Sequence, residues 1–243
     1  PRERGLVSLP GGSRELSFSR VAGLAVLEGD IVLGKALRAP RGAPRSGRDD
    51  LAAPSGLTVS ENAMIWPEAT VPFDIDPRTP AVVRERILSA VEHWNDSTLI
   101  RLRPRRADDA DVLLFFSQEP ACWAELGRQG GIQLANLGSE CQRGNAIHEI
   151  GHAVGLLHEH TRPDRERHLL IRWDRIQPSK LFNFEVAAPP SDPDLAPQAL
   201  SYDLRSVMHY GSYAFSVDGQ PTLLRRDGST FVENRDALTP LDI

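Results

Sequence analysis

The chain has 243 residues, of which 40% are hydrophobic and 25% charged, and its formal net charge is −5. This composition is that of a soluble globular protein with a sizeable core, and the acidic balance argues against nucleic-acid binding or a polybasic membrane partner. No run approaches the ~20 apolar residues that a membrane helix needs. The first residues are followed by no apolar signal core, so we expect that a signal was removed or never existed.

Residues 1–60 differ in character from the rest of the chain. Apolar runs at 21–27 and 31–33 flank Glu28-Gly29-Asp30, which has the composition of a turn. Residues 39–50 are rich in proline, glycine and arginine, which is typical of an exposed linker. Arginines in such a linker are good sites for trypsin-like cleavage. We therefore expect an N-terminal segment with its linker over 1–60 and one globular domain over 61–243.

Hydrophobic periodicity predicts two helices in this domain. Apolar residues recur at helical spacing over about 80–95, with Thr79 as the N-cap. A second helix is predicted from near Gly144 to Gly155. Runs typical of strands occupy 71–76, 100–103, 112–116 and 132–137. Beyond His168 we expect mostly irregular chain with a loop at 189–197.

The pattern H-E-x-x-H-x-x-G-x-x-H begins at His148 and is the strongest chemical signal of the chain. On a helix, His148 and His152 project from one face and can reach one tetrahedral zinc ion. Gly155 can take a positive φ, so the helix can end there and the returning chain can bring His158 as a third ligand. Three protein ligands leave one position for water, as in a catalytic zinc site. Glu149 can act beside that position as the general base.

Alternatives exist for each part of this pattern. Two histidines four residues apart also occur by chance, although the longer pattern fixes five identities, including the glycine. A zinc-binding interaction module without catalysis would account for the histidines, but it would not need Glu149 or an open coordination position.

Three further residue types could complete the site. Met208, in S-V-M-H-Y, could form a soft apolar floor beneath the histidines, and Tyr210 could bind the metal or donate to a developing oxyanion. Taken singly, Met208 is better explained as an ordinary core methionine, and the alternative for Tyr210 is a half-buried packing residue. Cys122 and Cys141 are the only cysteines, and their spacing is compatible with a disulfide or with two buried thiols.

Together these residues resemble the astacin family of metzincin zinc endopeptidases, over most of 61–243. The most specific stretch is HEIGHAVGLLHEHTRPDR, beginning at His148; SVMHYGSYAFS at 206–216 is similar to the Met-turn segment, and Cys122-Trp123 with LGRQGG at 126–131 resembles the active-site edge. The resemblance implies an α+β metzincin fold. Its upper half would hold a twisted, mostly parallel sheet and two long helices, and an irregular lower half would follow Gly155.

The resemblance also implies the roles of the site residues. One Zn²⁺ per chain would be bound by His148, His152 and His158, with Glu149 as base. Met208 would be the Met-turn residue, and Tyr210 would be a switchable metal ligand that stabilises the transition state. Cys122 and Cys141 would form a disulfide, and Glu159 would anchor the freed N-terminus.

Leu27-Glu28-Gly29-Asp30 resembles the family's propeptide motif, in which an aspartate binds the catalytic zinc, although Leu27 stands where an aromatic residue is usual. A carboxylate is a good zinc ligand and would displace the attacking water. No cysteine lies in 1–60 to act as a thiolate switch. An ordinary aspartate in a turn is the alternative. The resemblance implies a latent proenzyme of bacterial type, with Asp30 on the zinc and an activation cleavage at Arg45, Arg48 or up to Glu61.

We therefore predict a secreted or extracytoplasmic zinc metalloendopeptidase whose partners are a peptide or protein substrate and its own propeptide. The substrate should lie extended and antiparallel to an edge strand near Cys122-Trp123. Two departures from the family are expected. No cysteine remains for the second disulfide of many members, and the sequence stops at 238–243, where family domains usually continue through a last helix, so it is either truncated or a shortened variant. Four other histidines are expected to be structural or solvent-facing, namely His93, His160, His168 and His209.

Overall fold

The computed structural model describes residues 2–9, 12–21, 24–35, 64–118, 120–186 and 201–243. The N-terminal segment contributes four strands to a large sheet: β1 (Arg2–Leu9), β2 (Gly12–Val21), β3 (Leu24–Leu27) and β4 (Ile31–Lys35). Each pairs antiparallel with the next. Residues 28–30 form the predicted turn between β3 and β4.

The following domain adds five strands and two helices in its upper half. They are β5 (Thr70–Ile75), α1 (Ala81–Ser97), β6 (Arg101–Pro104), β7 (Val112–Phe116), β8 (Cys122–Glu125), β9 (Ile132–Leu137) and α2 (Arg143–Val154). The sheet order is β1-β2-β3-β4-β8-β9-β7-β5-β6. Among β5 to β9 the pairings are parallel except between β8 and β9. This arrangement confirms the predicted α+β class.

Strand β4 pairs with β8 in parallel and so connects the N-terminal segment to the domain. The N–H of Ala124 donates to the carbonyl of Asp30, and that of Leu126 donates to Val32, both at 3.1 Å. The edge of the domain formed by β8 is therefore covered by the segment.

Helix α1 buries the apolar face that its sequence predicts: Val83, Ile87, Ala90, Val91 and Trp94. The prediction of Thr79 as N-cap is wrong. The Thr79 hydroxyl is buried and has no hydrogen-bond partner among the residues that the structure describes. The chain enters α1 through Pro80, which holds the N-cap position with φ −55° and ψ 144°.

Helix α2 is held by two tryptophan side chains. Trp94 of α1 donates from Nε1 to the carbonyl of Ile147 at 3.0 Å. Trp66 donates in the same way to Ala153 at 2.8 Å. Because these bonds lie near the middle and the end of α2, they fix the rotation of the helix, and with it the direction of its histidines.

The lower half follows α2 and is mostly irregular, as predicted. Its strands β10 (Leu169–Ile171) and β11 (Leu223–Arg225) form a small antiparallel sheet. It has its own apolar cluster, formed by Leu169, Ile176, Phe184, Tyr210, Leu223 and Phe231. This cluster fixes Tyr210 opposite α2.

The predicted linker at 39–50 and the predicted loop at 189–197 lie outside the described residues. In the described part of the chain, no helix combines the length and the apolar character needed to cross a membrane.

Candidate active site

The three histidines of the motif meet at one point, as their spacing predicts. His148 and His152 lie four residues apart on α2, and their Nε2 atoms are 3.0 Å apart. Gly155 ends the helix with φ 109°, and its N–H reaches the carbonyls of Gly151 and His152. The returning chain places Nε2 of His158 3.2 Å from Nε2 of His148.

The donor set fits a tetrahedral zinc ion. Zinc–nitrogen bonds of about 2.0–2.1 Å place two ligand nitrogens about 3.3 Å apart, close to the separations found here. Each Nδ1 atom lies 2.8 Å from an oxygen acceptor, which for His148 is the carbonyl of Val207 and for His152 that of Leu156. For His158 it is the carboxylate of Glu28. With the proton on Nδ1, each Nε2 lone pair is free to coordinate a metal.

Asp30 approaches the same point from the N-terminal segment. Its carboxylate oxygens lie 3.5 Å from Nε2 of His148, 3.4 Å from that of His158 and 3.8 Å from that of His152. One donor atom from each of the four residues lies within 4.8 Å of the others, so this cluster can hold one metal ion. The structure thus brings together the four residues that the sequence assigns to the latent metal site.

Burial and mutual charges set the protonation of this cluster. Burial lowers the pKa of His148 to about 4 and that of His152 well below its ordinary value. Burial also acts on His158, but the charges of Asp30 and Glu28 outweigh it and raise its pKa to about 9. Burial alone would raise the pKa of Asp30, yet the three histidines lower it well below its ordinary value. A metal bound at Nε2 of His158 would therefore displace a proton.

Glu149 is buried on α2, and its Oε2 atom has no hydrogen-bond partner within the described residues. Burial, followed by the charge of Asp30, raises the pKa of Glu149 well above its ordinary value, while Arg235 opposes this. Removing Asp30 would take away one cause of that increase. The Oε2 atom is thus free to face another group, as the role of a base requires.

Tyr210 faces the metal cluster from the lower half. Its ring centroid lies 4.6 Å from that of His158, and its hydroxyl donates to the carbonyl of Glu28. Burial, with the charges of Asp30 and Glu28, raises the pKa of Tyr210 well above its ordinary value. The phenol therefore stays protonated at neutral pH and can act as a donor.

Met208 lies directly beneath α2. A Cβ atom added to Gly151 would be 2.6 Å from Sδ of Met208, so the sulfur packs against the helix between the positions of the two histidines. Met208 is buried in the main apolar cluster of the upper half. This is the place that the predicted floor residue should occupy.

The predicted disulfide is confirmed: Cys122 and Cys141 are bonded with an S–S distance of 2.08 Å. It ties the first residue of β8 to the chain just before α2. The edge strand and the metal-binding helix are therefore covalently linked.

Glu159 lies next to the third histidine but has partners of its own. Its Oε1 accepts from Arg162 and from the N–H of Asp203, both at 2.9 Å. Burial raises the pKa of Glu159 to about 7, against the effect of these donors. Its predicted role as an anchor for a new N-terminus stays a prediction.

The other histidines have structural partners. His93 accepts from the N–H of Leu238, and His168 stacks on Tyr202. His209 bonds to Tyr202 and to the carbonyl of Tyr210.

Two residues of the site were not found from the sequence. Glu28, two residues before Asp30, belongs to the predicted turn and to the stretch that resembles the propeptide motif, but the sequence indicates no role of its own for it. Arg235 donates to the carbonyl of Val207 at 2.8 Å, the same oxygen that accepts from His148. Neither contact has a sequence signature, since both depend on segments far apart in the chain.

The profile of the Astacin peptidase family matches residues 58–243. Two similar proteins from Caenorhabditis elegans are zinc metalloproteinase nas-15, 32% identical over 185 residues, and zinc metalloproteinase nas-7, 34% identical over 189 residues. Both alignments cover 76% of this chain but only 32% and 48% of the relatives, so the chain spans less than half of their length.

A solved structure is also similar, that of high choriolytic enzyme 1, a hatching enzyme zinc-protease from Oryzias latipes. Its TM-score is 0.67 at 28% sequence identity, and the match covers 75% of this chain and 92% of that one. The cluster of Asp30 and the three histidines can hold one metal ion. The relatives are zinc metalloproteinases, and this ion is accordingly Zn²⁺. The chain therefore belongs to the astacin family and carries that family's zinc metalloendopeptidase domain.

Proposed function

We propose that this chain is the latent form of a secreted zinc metalloendopeptidase, in which the N-terminal segment blocks the catalytic site. The observation that carries the proposal is the position of Asp30, whose carboxylate lies within 3.8 Å of the Nε2 atoms of all three histidines. A carboxylate there would occupy the position of the water that attacks the substrate. The disulfide supports an oxidising, extracytoplasmic location.

The segment would obstruct the substrate as well as the metal. A peptide that extends the sheet must pair with the free edge of β8, and β4 already occupies this edge. Tyr210 is also engaged, because its hydroxyl donates to Glu28 of the segment. Metal, edge strand and tyrosine are therefore all blocked by residues 28–32.

Once the segment has left, the residues can divide the work of peptide hydrolysis. Zinc, when bound, supplies a Lewis acid that polarises the scissile carbonyl and lowers the pKa of water. The Glu149 carboxylate, whose Oε2 atom has no hydrogen-bond partner within the described residues, takes the proton of the attacking water and passes it to the leaving amine. The Tyr210 hydroxyl donates a hydrogen bond to the developing oxyanion. The substrate is a peptide bound in extended form.

The test uses the full chain, loaded with zinc, before and after limited trypsin cleavage. We expect hydrolysis of casein only after cleavage, and a loss of roughly 10²–10⁴-fold in the variant Glu149→Gln, because its amide cannot accept the proton. Zinc content, measured by atomic absorption, should remain one per chain in that variant. If Glu149→Gln cleaved casein like the native chain, or if the cleaved native chain were inactive, a zinc-binding module without catalysis would be the better description.

A further inference from the structure

Asn183 has a buried carboxamide whose hydrogen-bonding groups find no partner in the described structure. It lies in the 3₁₀ segment Pro178–Phe184 with 0% exposure. Its Oδ1 and Nδ2 atoms both lack a hydrogen-bond partner. Buried amides are nearly always paired, because an unpaired donor or acceptor loses its water without compensation. An amide with both groups unpaired therefore needs an explanation.

The contacts around Asn183 place it beside the catalytic tyrosine. His160 donates from Nε2 to the Asn183 carbonyl at 2.9 Å. The His160 ring stacks on Tyr210, with 3.9 Å between ring centroids and 24° between planes. The main chain of Asn183 is thus fixed through His160, while its carboxamide remains free to bind another group.

The group now facing that carboxamide belongs to the N-terminal segment. A Cβ atom added to Gly29 would lie 3.1 Å from Nδ2 of Asn183, 3.2 Å from Cζ of Phe215 and 3.4 Å from the Tyr210 hydroxyl. Gly29 has φ +99°, so its backbone, without a side chain, packs against all three. The turn at 28–30 therefore covers the carboxamide and fails to satisfy it.

We propose that Asn183 is a substrate-binding residue, whose carboxamide pairs with a peptide unit of the substrate next to the scissile bond. This inference rests on the proposed function, since it requires the segment to leave. A primary amide offers one donor and one acceptor side by side, as a peptide unit does. It carries no charge, so it recognises the main chain and not a class of side chain. Asn183 would then bind the substrate from the lower half, opposite β8.

The variant Asn183→Leu tests this, because leucine has nearly the same shape and no polar atoms. In the zinc-loaded full chain we expect the melting temperature to stay the same or rise, since two unpaired buried atoms are removed. After trypsin cleavage we expect kcat/KM for casein peptides to fall by roughly tenfold or more. Zinc should remain at one per chain.

A matched control is Asn136→Leu, which removes a buried amide that is paired. Asn136 donates to the carbonyl of Ala121 and accepts from the N–H of Gln118, so this variant should lower the melting temperature. The proposal is overturned if cleaved Asn183→Leu keeps kcat/KM within about twofold of native. It is also overturned if Asn183→Leu loses stability as Asn136→Leu does, because the side chain would then be structural.

A binding measurement separates this proposal from the proposed function. The cleaved variants Glu149→Gln and Glu149→Gln/Asn183→Leu are titrated with a casein-derived peptide by calorimetry. We expect the dissociation constant to rise by roughly tenfold in the double variant. If the double variant binds the peptide more weakly but the cleaved native chain does not hydrolyse casein, the role of Asn183 is kept and catalysis is rejected. If the two variants bind the peptide equally, the role of Asn183 is rejected.

Discussion

The three zinc-binding histidines differ in what accepts their Nδ1 proton. His148 and His152 donate to carbonyls of the peptidase domain, but His158 donates to the carboxylate of Glu28 in the N-terminal segment. Such acceptors orient the ring of a ligand and increase its basicity. If the segment leaves as we propose, the third ligand would lose a charged partner, whereas the other two would keep theirs.

Gly144 permits close packing at the start of α2. A Cβ atom there would lie 1.6 Å from the carbonyl oxygen of Arg235, which is backbone and cannot turn aside. Alanine normally stabilises a helix interior by about 1 kcal/mol relative to glycine. Here we expect Gly144→Ala to lower the free energy of unfolding by roughly 3 kcal/mol or more, measured by urea denaturation.

Gly151→Ala is the comparison within the same helix. Its Cβ would meet the side chain of Met208, at 2.6 Å from Sδ, and a methionine side chain can adjust. The loss of stability should therefore be smaller than in Gly144→Ala. Equal losses, or the reverse order, would contradict the steric explanation.

The sequence predicts individual residues well where a spacing defines the chemistry. The histidines and Glu149 follow from one helical motif, because i and i+4 side chains share a face whatever the rest of the fold does. Glu28 and Asn183 could not be found in this way. Their roles depend on contacts between residues 28–29 and the lower half, and an unpaired amide is a property of the folded structure alone.

At the scale of the elements, helix α1 contains His93, a titratable residue that makes a hydrogen bond away from the metal site. Nε2 of His93 accepts from the N–H of Leu238 at 3.0 Å, which only a neutral imidazole can do. Burial, with the charge of Arg143, lowers the pKa of His93 below 6.5, while Asp96 opposes this. The unfolded chain therefore binds this proton at a higher pH than the folded chain. The contribution to stability is present above pH 6.5 and is lost as the pH falls through the lowered pKa.

The variant His93→Gln should keep an acceptor that does not titrate. We expect its melting temperature to match that of the native chain near pH 7 and to exceed it near pH 5, in calorimetric scans at constant zinc. Melting curves that shift in parallel between these pH values would show that His93 is not the titrating group.

Helices and strands could be predicted from the sequence where a local apolar pattern defines them. They could not be predicted where a strand forms only because it pairs with another strand. Helix α1 and strands β5, β7 and β9 follow from periodicity. Strands β1 and β2, with sequences RERGLVSL and GSRELSFSRV, lack a sustained alternation of apolar residues. They form strands because they pair with each other and extend the sheet, and strand formation depends strongly on such context.

At the scale of the whole molecule, the segment and the domain share one sheet, and Asp30 lies where β4 meets β8. Asp30→Ala should leave this pairing intact, because the ladder uses the main-chain carbonyl of Asp30. We expect the uncleaved variant to gain casein hydrolysis by roughly tenfold or more over the uncleaved native chain, because the segment without its metal ligand is held less tightly and leaves the β8 edge more often.

Glu3→Gln is the control from the same segment. Glu3 pairs with Arg20 at 2.9 Å, within the β1–β2 pair, so its loss should leave the uncleaved chain latent. If Asp30→Ala were as inactive as Glu3→Gln before cleavage, the carboxylate would not be the element that blocks the metal.

The parallel pairing of β4 with β8 has a kinetic consequence. A productive substrate is expected to run antiparallel to β8, so the segment crosses the catalytic residues with its N-to-C direction reversed. Its carbonyls and amides then meet Glu149 and Tyr210 in the wrong order for hydrolysis, however long it stays bound. The bound segment would therefore resist hydrolysis by the site that it covers, and its release would require another protease molecule, either added trypsin or an already active copy. Activation without added protease should then be autocatalytic, with a lag phase that shortens as the protein concentration increases.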